Sequence, residues 1–279
     1  MNIFYFGGTS FTSQYLIKDL SKKSNVINFS RTNSQYCKSY YFNLNKKPNK
    51  FLTNKFNFFK PDFLFIFSSF VPLNEQNSSW KECKKVNVIG LMNLLKTIKF
   101  KPKKIILASS CSLYGPDISK KKADSFLAPS SGYSLSKFAQ ENILRIFCKK
   151  NNIKFLSYRI GYVFGSNMSK KRLVKRILIN LRKNKKINLF DKKKNLNLIH
   201  TKDISRIIMG TFKRSNGVLN LVSPYKTTLG LYFYYLKKEK KINKIELKYY
   251  FKNLKRYKDF QKIKIFSFKD AINDFKNEN

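Results

Sequence analysis

The chain has 279 residues, 42% of them hydrophobic, which is enough to build a large core and too much for a disordered polypeptide. Its 58 Lys plus Arg against 15 Asp plus Glu give a formal charge of +43, but only nine of those cations are Arg, the side chain that grips phosphates and bases in a fork. The excess therefore reads as a Lys-coated surface that attracts anionic small molecules before it reads as a nucleic-acid site, while one His and four scattered Cys exclude zinc fingers and a disulfide framework.

Asn2–Phe6 is a short apolar strand. It runs into Gly7-Gly8-Thr9-Ser10-Phe11-Thr12-Ser13 and then a helix over Phe11–Leu20. A strand, a glycine turn and a helix form the βα unit that cradles a pyrophosphate at a helix N-terminus. The full pattern wants Gly at 7, 10 and 13. Only Gly7 is present, with Gly8 beside it, and Ser10 and Ser13 fill the other places. Two readings stay open at this point: a phosphate loop, and a tight turn without ligand.

Val26–Phe29 is a second strand and Tyr40–Phe42 a third. Asp62–Phe67 is a continuous apolar run, as a strand buried on both faces requires. It is also the neighbourhood of the longest apolar run, which is far too short to cross a bilayer. Trp80–Ile98 reads as a long helix with Val86, Ile89, Leu91, Leu94, Leu95 and Ile98 on its apolar side. Lys104–Ser109 is another buried strand, Tyr133–Lys149 a helix with Phe138, Leu144 and Phe147 inward, and Ile153–Tyr158 a strand. Past Gly165, Lys170–Lys183 is an amphipathic helix with Leu173, Val174, Ile177, Leu178 and Leu181 on one face and Lys171, Arg172, Lys175, Arg176 and Arg182 on the other. A helix starts near Asp203, Val218–Val222 is a further strand, and the tail from Lys226 has no clear period.

Strands alternating with helices predict an α/β fold: a doubly wound parallel sheet of the Rossmann type. The plan is a dinucleotide-binding domain over 1–165, completed by 197–225. A small C-terminal substrate-binding lobe is formed by 166–196 and 226–279. An N-terminus that begins as a strand, with no signal peptide, and unpaired cysteines predict a cytoplasmic protein.

Arg31 follows the second strand about 20 residues past the glycine turn, where an acidic residue holds the ribose 2′-hydroxyl of NAD. No Asp or Glu lies between Asp19 and Asp62. The Arg31 fork suits a 2′-phosphate, so NADP is the expected cofactor and NAD the alternative. Tyr133 and Lys137 stand at i and i+4 on one helix face. Bringing a phenol from about 10 to about 7 requires roughly 4 kcal/mol, and a nearby ammonium supplies part of it. A Y-x-x-x-K spacing alone is weak in a chain this rich in both residues. The loop Ser109-Ser110-Cys111-Ser112-Leu113-Tyr114-Gly115, at the carboxyl edge of a buried strand, is where doubly wound sheets bind ligands.

In order along nearly the whole chain, these segments resemble an extended short-chain dehydrogenase/reductase of the NAD-dependent epimerase/dehydratase type, acting on nucleotide sugars. The resemblance runs through Phe6-Gly7-Gly8-Thr9, Pro61-Asp62 with Ser68-Ser69, Asn87-Val88-Ile89-Gly90 with Asn93-Leu94-Leu95, and Ser109-Ser110 to Tyr114-Gly115. It continues through Pro129, Tyr133 to Lys137 with Glu141, Arg159 to Gly165, His200 to Asp203, and Asn220. It implies Tyr133 as general acid/base, Lys137 as the residue that lowers its pKa and binds the nicotinamide ribose, and Ser110 on the substrate hydroxyl. It implies a cofactor lined by Gly7, Ser10, Phe11, Ser13, Arg31, Ser68 and Asn87, with Tyr133 and Lys137. The reaction would move a hydride at a sugar carbon, usually C4, as an epimerase or a 4-ketoreductase. A nucleotide sugar would be the partner, and Trp80–Ile98 and Tyr133–Lys149 would pair two copies as a homodimer.

The departures shape the alternatives. The altered glycine loop keeps open a redox-inactive Rossmann binding or regulatory protein, and the charge a nucleic-acid-associated one. Tyr162 stands where many relatives have an Asn that touches substrate. Relatives that act as 4,6-dehydratases carry an Asp-Glu pair directly after the catalytic Ser or Thr. Here those places are Cys111 and Ser112, which disfavours dehydration. His200 reads as a helix cap or a substrate contact, and Cys111 as a packed side chain.

Overall fold

The computed structural model describes residues 1–115, 121–183, 196–222 and 228–230. Seven parallel strands make the main sheet: β1 (Asn2–Phe6), β2 (Asn25–Ser30), β3 (Lys38–Tyr41), β4 (Phe63–Ile66), β5 (Lys104–Ser110), β6 (Lys154–Ile160) and β9 (Gly217–Leu221). Their order is β3-β2-β1-β4-β5-β6-β9, so the winding reverses between β1 and β4. Loops leaving the carboxyl ends of β1 and β4 part there and open a crevice for a ligand. Val163 of a short strand β7 (Tyr162–Phe164) pairs with Ile199 of β8 (Leu198–His200) in a separate parallel sheet that the sequence pattern did not show.

The sheet is buried on both faces. On one face Tyr5, Phe65, Ile106 and Tyr158 meet α1 (Gln14–Ser21) and α7 (Thr201–Thr211). On the other, Phe4, Phe6, Phe29 and Leu64 meet α2 (Lys50–Phe59) and α4 (Leu91–Thr97). Phenylalanine fills much of this second layer: Phe29 stacks on Phe6 at 5.0 Å and meets Phe56 edge-on at 4.9 Å.

Several expectations shift. The helix expected from Phe11 begins as a 3-10 turn at Phe11–Ser13, and α1 follows. Helix α2 is absent from the sequence reading, because its Phe-rich, Asn-rich stretch has no clear polar face. It forms on the Asn49 cap, whose side chain accepts from the Leu52 amide. Trp80–Thr97 is one continuous run of α3 (Trp80–Cys83), a π-helical segment Lys84–Gly90, and α4. The wider π turns rotate the apolar face, and Ile89, expected inside, is 45% exposed. In α5 (Gly132–Lys150) Leu144 is buried as expected but Phe138 is exposed. In α6 (Leu173–Arg182) Val174, Ile177 and Leu178 are buried, and Lys175, expected on the solvated face, is buried with them. Residues 184–195 and 231–279, most of the expected second lobe, lie outside the described residues.

Candidate active site

Gly7 ends β1 with φ +93°, and a Cβ there would sit 2.6 Å from the Ser68 backbone nitrogen. Only glycine lets the first loop approach the end of β4 this closely. The two serines stand in ordinary backbone regions, Ser10 at φ −70°, ψ 154° and Ser13 at φ −93°, ψ −12°. Neither place requires glycine. Ser13 is fully buried, accepts from the Tyr5 phenol at 3.0 Å, and lies 2.9 Å from Ser10 Oγ. The altered loop is therefore braced from below.

Gly7, Thr9, Ser10, Arg31, Ser68 and Ser69 line a cleft of about 980 Å³ at the β1/β4 switch point. The cleft continues past Thr32, Asn43 and Leu44 to Glu82, Lys85 and Val86. Small residues at its floor, a guanidinium and hydroxyls at one end, and an apolar wall fit a dinucleotide. Around Arg31 the hydroxyls are already networked: Thr9 donates to Ser30 Oγ at 3.2 Å and Thr32 to Thr9 at 2.9 Å. Of the other expected cofactor residues, three stand elsewhere. Phe11 is half-buried in the 3-10 turn and Ser13 is sealed under the loop; neither lines the cleft. Asn87 is also fully buried one layer back. It accepts from the Phe70 amide at 2.7 Å and Ser69 Oγ at 2.9 Å, and donates to the Phe70 carbonyl and Ser136 Oγ. It thus holds the wall of the cleft to α5.

Ser110 stands against the Tyr133 phenol, and Lys137, one turn further along the same helix, reaches the cleft wall through Ser69. Ser110 ends β5 and caps the turn Cys111–Tyr114, accepting from the Ser112 amide at 3.2 Å. Helix α5 starts at a reciprocal Ser131–Ser134 capping box, which places Tyr133 in its first turn. Lys137, one turn on, is 2% exposed; its ammonium donates to Gln140 Oε1 at 2.7 Å and to Ser69 Oγ at 3.4 Å. Ser69 joins the Lys137 ammonium to the cleft wall. Burial lowers the Lys137 pKa to about 7, partly offset by Glu141. Burial raises the Tyr133 phenol well above its ordinary value, and the Glu75 carboxylate adds to this; the Ser110 hydroxyl and Arg172 oppose it. Without a bound cation the phenol is an acid, not a base.

Glu75 was not among the expected site residues. It lies in the loop after β4, half-buried, facing Ser112 and Arg172. Nothing in sequence spacing links it to the β5 loop; only the fold does. Tyr162 lies against the start of α6, near the Leu173 and Val174 backbone and Arg172. His200 caps α7, with Nδ1 accepting from the Lys202 amide at 3.3 Å, and packs on Phe164. Cys111 is buried with its thiol toward the Arg159 carbonyl, the packed role expected of it. Below the site Glu141, 2% exposed, accepts from Ser109, Ser157 and both ends of Arg159, whose guanidinium also reaches the Tyr114 hydroxyl at 2.7 Å.

The family model described as NAD dependent epimerase/dehydratase family matches residues 3–220. A search of curated protein sequences finds no match. Among solved structures, the fold is similar to UDP-glucose 4-epimerase from Thermotoga maritima, with UDP-glucose, at 20% identity and TM-score 0.74 over 90% of this chain and 84% of that one. It is similar to Thermus thermophilus UDP-glucose 4-epimerase in complex with NAD, at 17% identity and TM-score 0.75 over 85% and 83%. It is also similar to UDP-glucuronic acid 4-epimerase from Bacillus cereus, in complex with UDP-glucuronic acid and NAD, at 16% identity and TM-score 0.76 over 87% and 84%.

Proposed function

This chain belongs to the NAD-dependent epimerase/dehydratase family, and from that premise we propose that it moves a hydride at C4 of a nucleotide sugar, as a 4-epimerase or a 4-ketoreductase. The observation that supports the reading is the Lys137 ammonium joined through Ser69 to the wall of the cleft whose floor is Gly7, with Ser110 against the Tyr133 phenol on the same helix. A nicotinamide dinucleotide held in that cleft supplies the hydride acceptor and donor. Gly7, Ser10, Ser68 and Ser69 would hold its phosphates and ribose, with Lys137, now on Gln140 and Ser69, the donor nearest that wall. Tyr133 then moves the proton of the sugar hydroxyl, with Ser110 orienting that oxygen. Related enzymes crystallised with UDP sugars support the substrate class.

Arg31 favours reduction over epimerisation, because the NADPH pool drives reductions and Arg31 stands where a 2′-phosphate would be read. The same Arg31 makes NADP the preferred cofactor, with NAD as the alternative. Dehydration is disfavoured, since the two residues after Ser110 are Cys111 and Ser112. Residues 166–196 and 226–279 make the substrate lobe, the protein works in the cytoplasm, and two copies pair through the Trp80–Thr97 run and α5. Among the described residues no helix is long and apolar enough to cross a membrane.

The test incubates the protein with UDP-, dTDP-, GDP- and CDP-hexoses and their 4-keto forms, with each cofactor, and follows products by mass and sugar configuration. Inversion at C4 or reduction of a 4-keto sugar supports the reading. Loss of water, or no conversion by a protein that binds cofactor, overturns it.

A further inference from the structure

We propose that Gln140 is a positioning residue for Lys137: its buried amide oxygen holds the lysine ammonium against the cleft wall and leaves one N–H for a cofactor hydroxyl. The inference rests on the cofactor role given to Lys137 above.

Gln140 follows Lys137 by three residues on α5, so the two side chains share one face of the helix. Gln140 is fully buried. Its Oε1 accepts from the Lys137 ammonium at 2.7 Å, the shorter of the two bonds that hold this group. Its Nε2 has no hydrogen-bond partner. Burying a carboxamide and satisfying only one end costs stability, and Leu or Met would fill the same space without that cost. What the oxygen does for Lys137 accounts for the amide. Turning the amide over would set its NH2 against the ammonium, donor against donor, so the lysine fixes its orientation.

The second bond of the ammonium belongs to a closed path. Lys137 donates to Ser69 Oγ at 3.4 Å, and Ser69 gives its proton to Asn87 Oδ1 at 2.9 Å, so Ser69 can only accept from Lys137. Asn87 Nδ2 donates to Ser136 Oγ at 2.9 Å, and Ser136 donates to the Tyr133 carbonyl at 2.7 Å. The path starts and ends on α5. The start of that helix is itself fixed. A Cβ at Gly132 would sit 2.5 Å from the Ser78 carbonyl oxygen, and Ser78 Oγ accepts from the Tyr133 amide while donating to the Glu75 carbonyl. The backbone of Lys137 therefore has one place, and what remains to be set is the aim of a long side chain. An ammonium has three hydrogens. Gln140 and Ser69 take two, and the third has no acceptor among the described residues. Without Gln140 the ammonium would be held by the 3.4 Å bond alone.

The same contact bears on charge. Burial lowers the Lys137 pKa to about 7, and Glu141 opposes this. A neutral oxygen that accepts from the ammonium also favours the charged form. The titratable and charged groups around Lys137 are few. Glu141 lies one turn on along α5, bound by Arg159 of β6 at 2.6 Å and by Arg145 at 3.2 Å. The Tyr133 phenol is one turn back, and the Cys83 thiol of α3, raised by burial, lies by Ser136. Ser69 and Asn87, from the β4 loop and the π-helical segment, do not titrate near neutral pH.

The test uses the full chain, comparing wild type with Gln140→Leu and Gln140→Glu, each checked for folding by thermal unfolding. Lysine side-chain nitrogens are isotope-labelled, and the Lys137 NMR resonance, identified by its loss in Lys137→Met, is titrated without ligand. The midpoint should fall by about one pH unit in Gln140→Leu, which removes the acceptor. It should rise by about one unit or more in Gln140→Glu, which keeps an acceptor and adds a negative charge. The second readout is NAD and NADP affinity across pH. Affinity declines once the free ammonium loses its proton, so the decline should begin at lower pH in Gln140→Leu and at higher pH in Gln140→Glu. At neutral pH the Leu variant should bind cofactor roughly tenfold more weakly. A side chain that only fills space would move neither readout. A Lys137 midpoint in Gln140→Leu that coincides with wild type, or cofactor affinity that is unchanged or tighter, overturns the proposal. Should Gln140→Leu not fold, Gln140→Glu decides, and a midpoint at or below that of wild type overturns it. A protein that binds neither cofactor defeats the function proposed above, and the NMR titration alone then decides the role of Gln140.

Discussion

Lys137 is buried with a lowered pKa before any ligand arrives. Its pKa near 7 in the fold, against about 10.5 in an unfolded chain, means that the unfolded chain binds more protons between those values. Stability of the cofactor-free protein therefore rises with pH from about 7, by at most ~1.4 kcal/mol per unit. Above about 8.5 the trend reverses, because burial raises the Cys83, Cys111 and Cys148 thiols while their unfolded counterparts ionise. Chemical denaturation at pH 7, 8 and 9 checks this, and Lys137→Met should lose the rise. Tyr133→Phe removes one hydroxyl and little packing; cofactor affinity should hold and kcat fall at least ~100-fold. Arg31→Ala should weaken NADP binding roughly 10- to 100-fold and leave NAD binding within about twofold, as loss of a charge-assisted fork predicts. Titration of both cofactors checks it. Tyr133, Lys137 and Ser110 were singled out by a local spacing and a strand end. Asn87 was legible as a residue of interest but not in its place, since spacing cannot distinguish a side chain that touches a ligand from one that holds the wall. Glu75 was not legible at all: it reaches the β5 loop only through the packing of its own loop on Gly132.

Elements are joined by a few buried polar contacts. Lys104 opens β5 at 2% exposure, and its ammonium donates to the carbonyls of Phe212, Lys213 and Ser215 at 2.8–2.9 Å. It closes the end of α7, where helix carbonyls lack partners and a cation suits the dipole. In Lys104→Met those carbonyls lose their donor, and stability should fall by about 1–3 kcal/mol with cofactor affinity unchanged. Thermal unfolding with and without cofactor checks this. The strands and the long helices were readable because the period switches cleanly and a parallel sheet hides both faces. Element β7 and its partner β8 were not readable, being three residues each and, among the described residues, paired with one another in a sheet of their own. Helix α2 was hidden by its composition, with phenylalanines at buried and exposed places alike. The π turns were hidden because a helix that gains a residue per turn keeps the same residue types and only rotates them.

At the scale of the whole molecule, the corrections at Ile89 and Phe138 carry an argument of their own. Trp80, Ile89 and Met92 on the Trp80–Thr97 run, and Leu135, Phe138 and Ile146 on α5, are all exposed, on two helices that pack against each other through the π-helical segment and Asn87–Ser136. A molecule with a formal charge of +43 repels its own copies over most of its surface, and the attraction of exposed apolar side chains has to outweigh that repulsion. Burying six such side chains against their symmetry mates would remove several hundred Å² of apolar surface, enough at about 25 cal/mol per Å² to overcome a modest repulsion. The protein should therefore sediment as a dimer at micromolar concentration. Because the residual repulsion is screened by salt, the dimer should tighten as ionic strength rises, the opposite of an interface held by ion pairs. Phe138→Glu, at a position that is 37% exposed in the single chain, should give a folded monomer with cofactor affinity retained. Sedimentation of wild type and variant across a salt series checks both statements, and a wild type that stays monomeric at every salt concentration would show that this strip has another use.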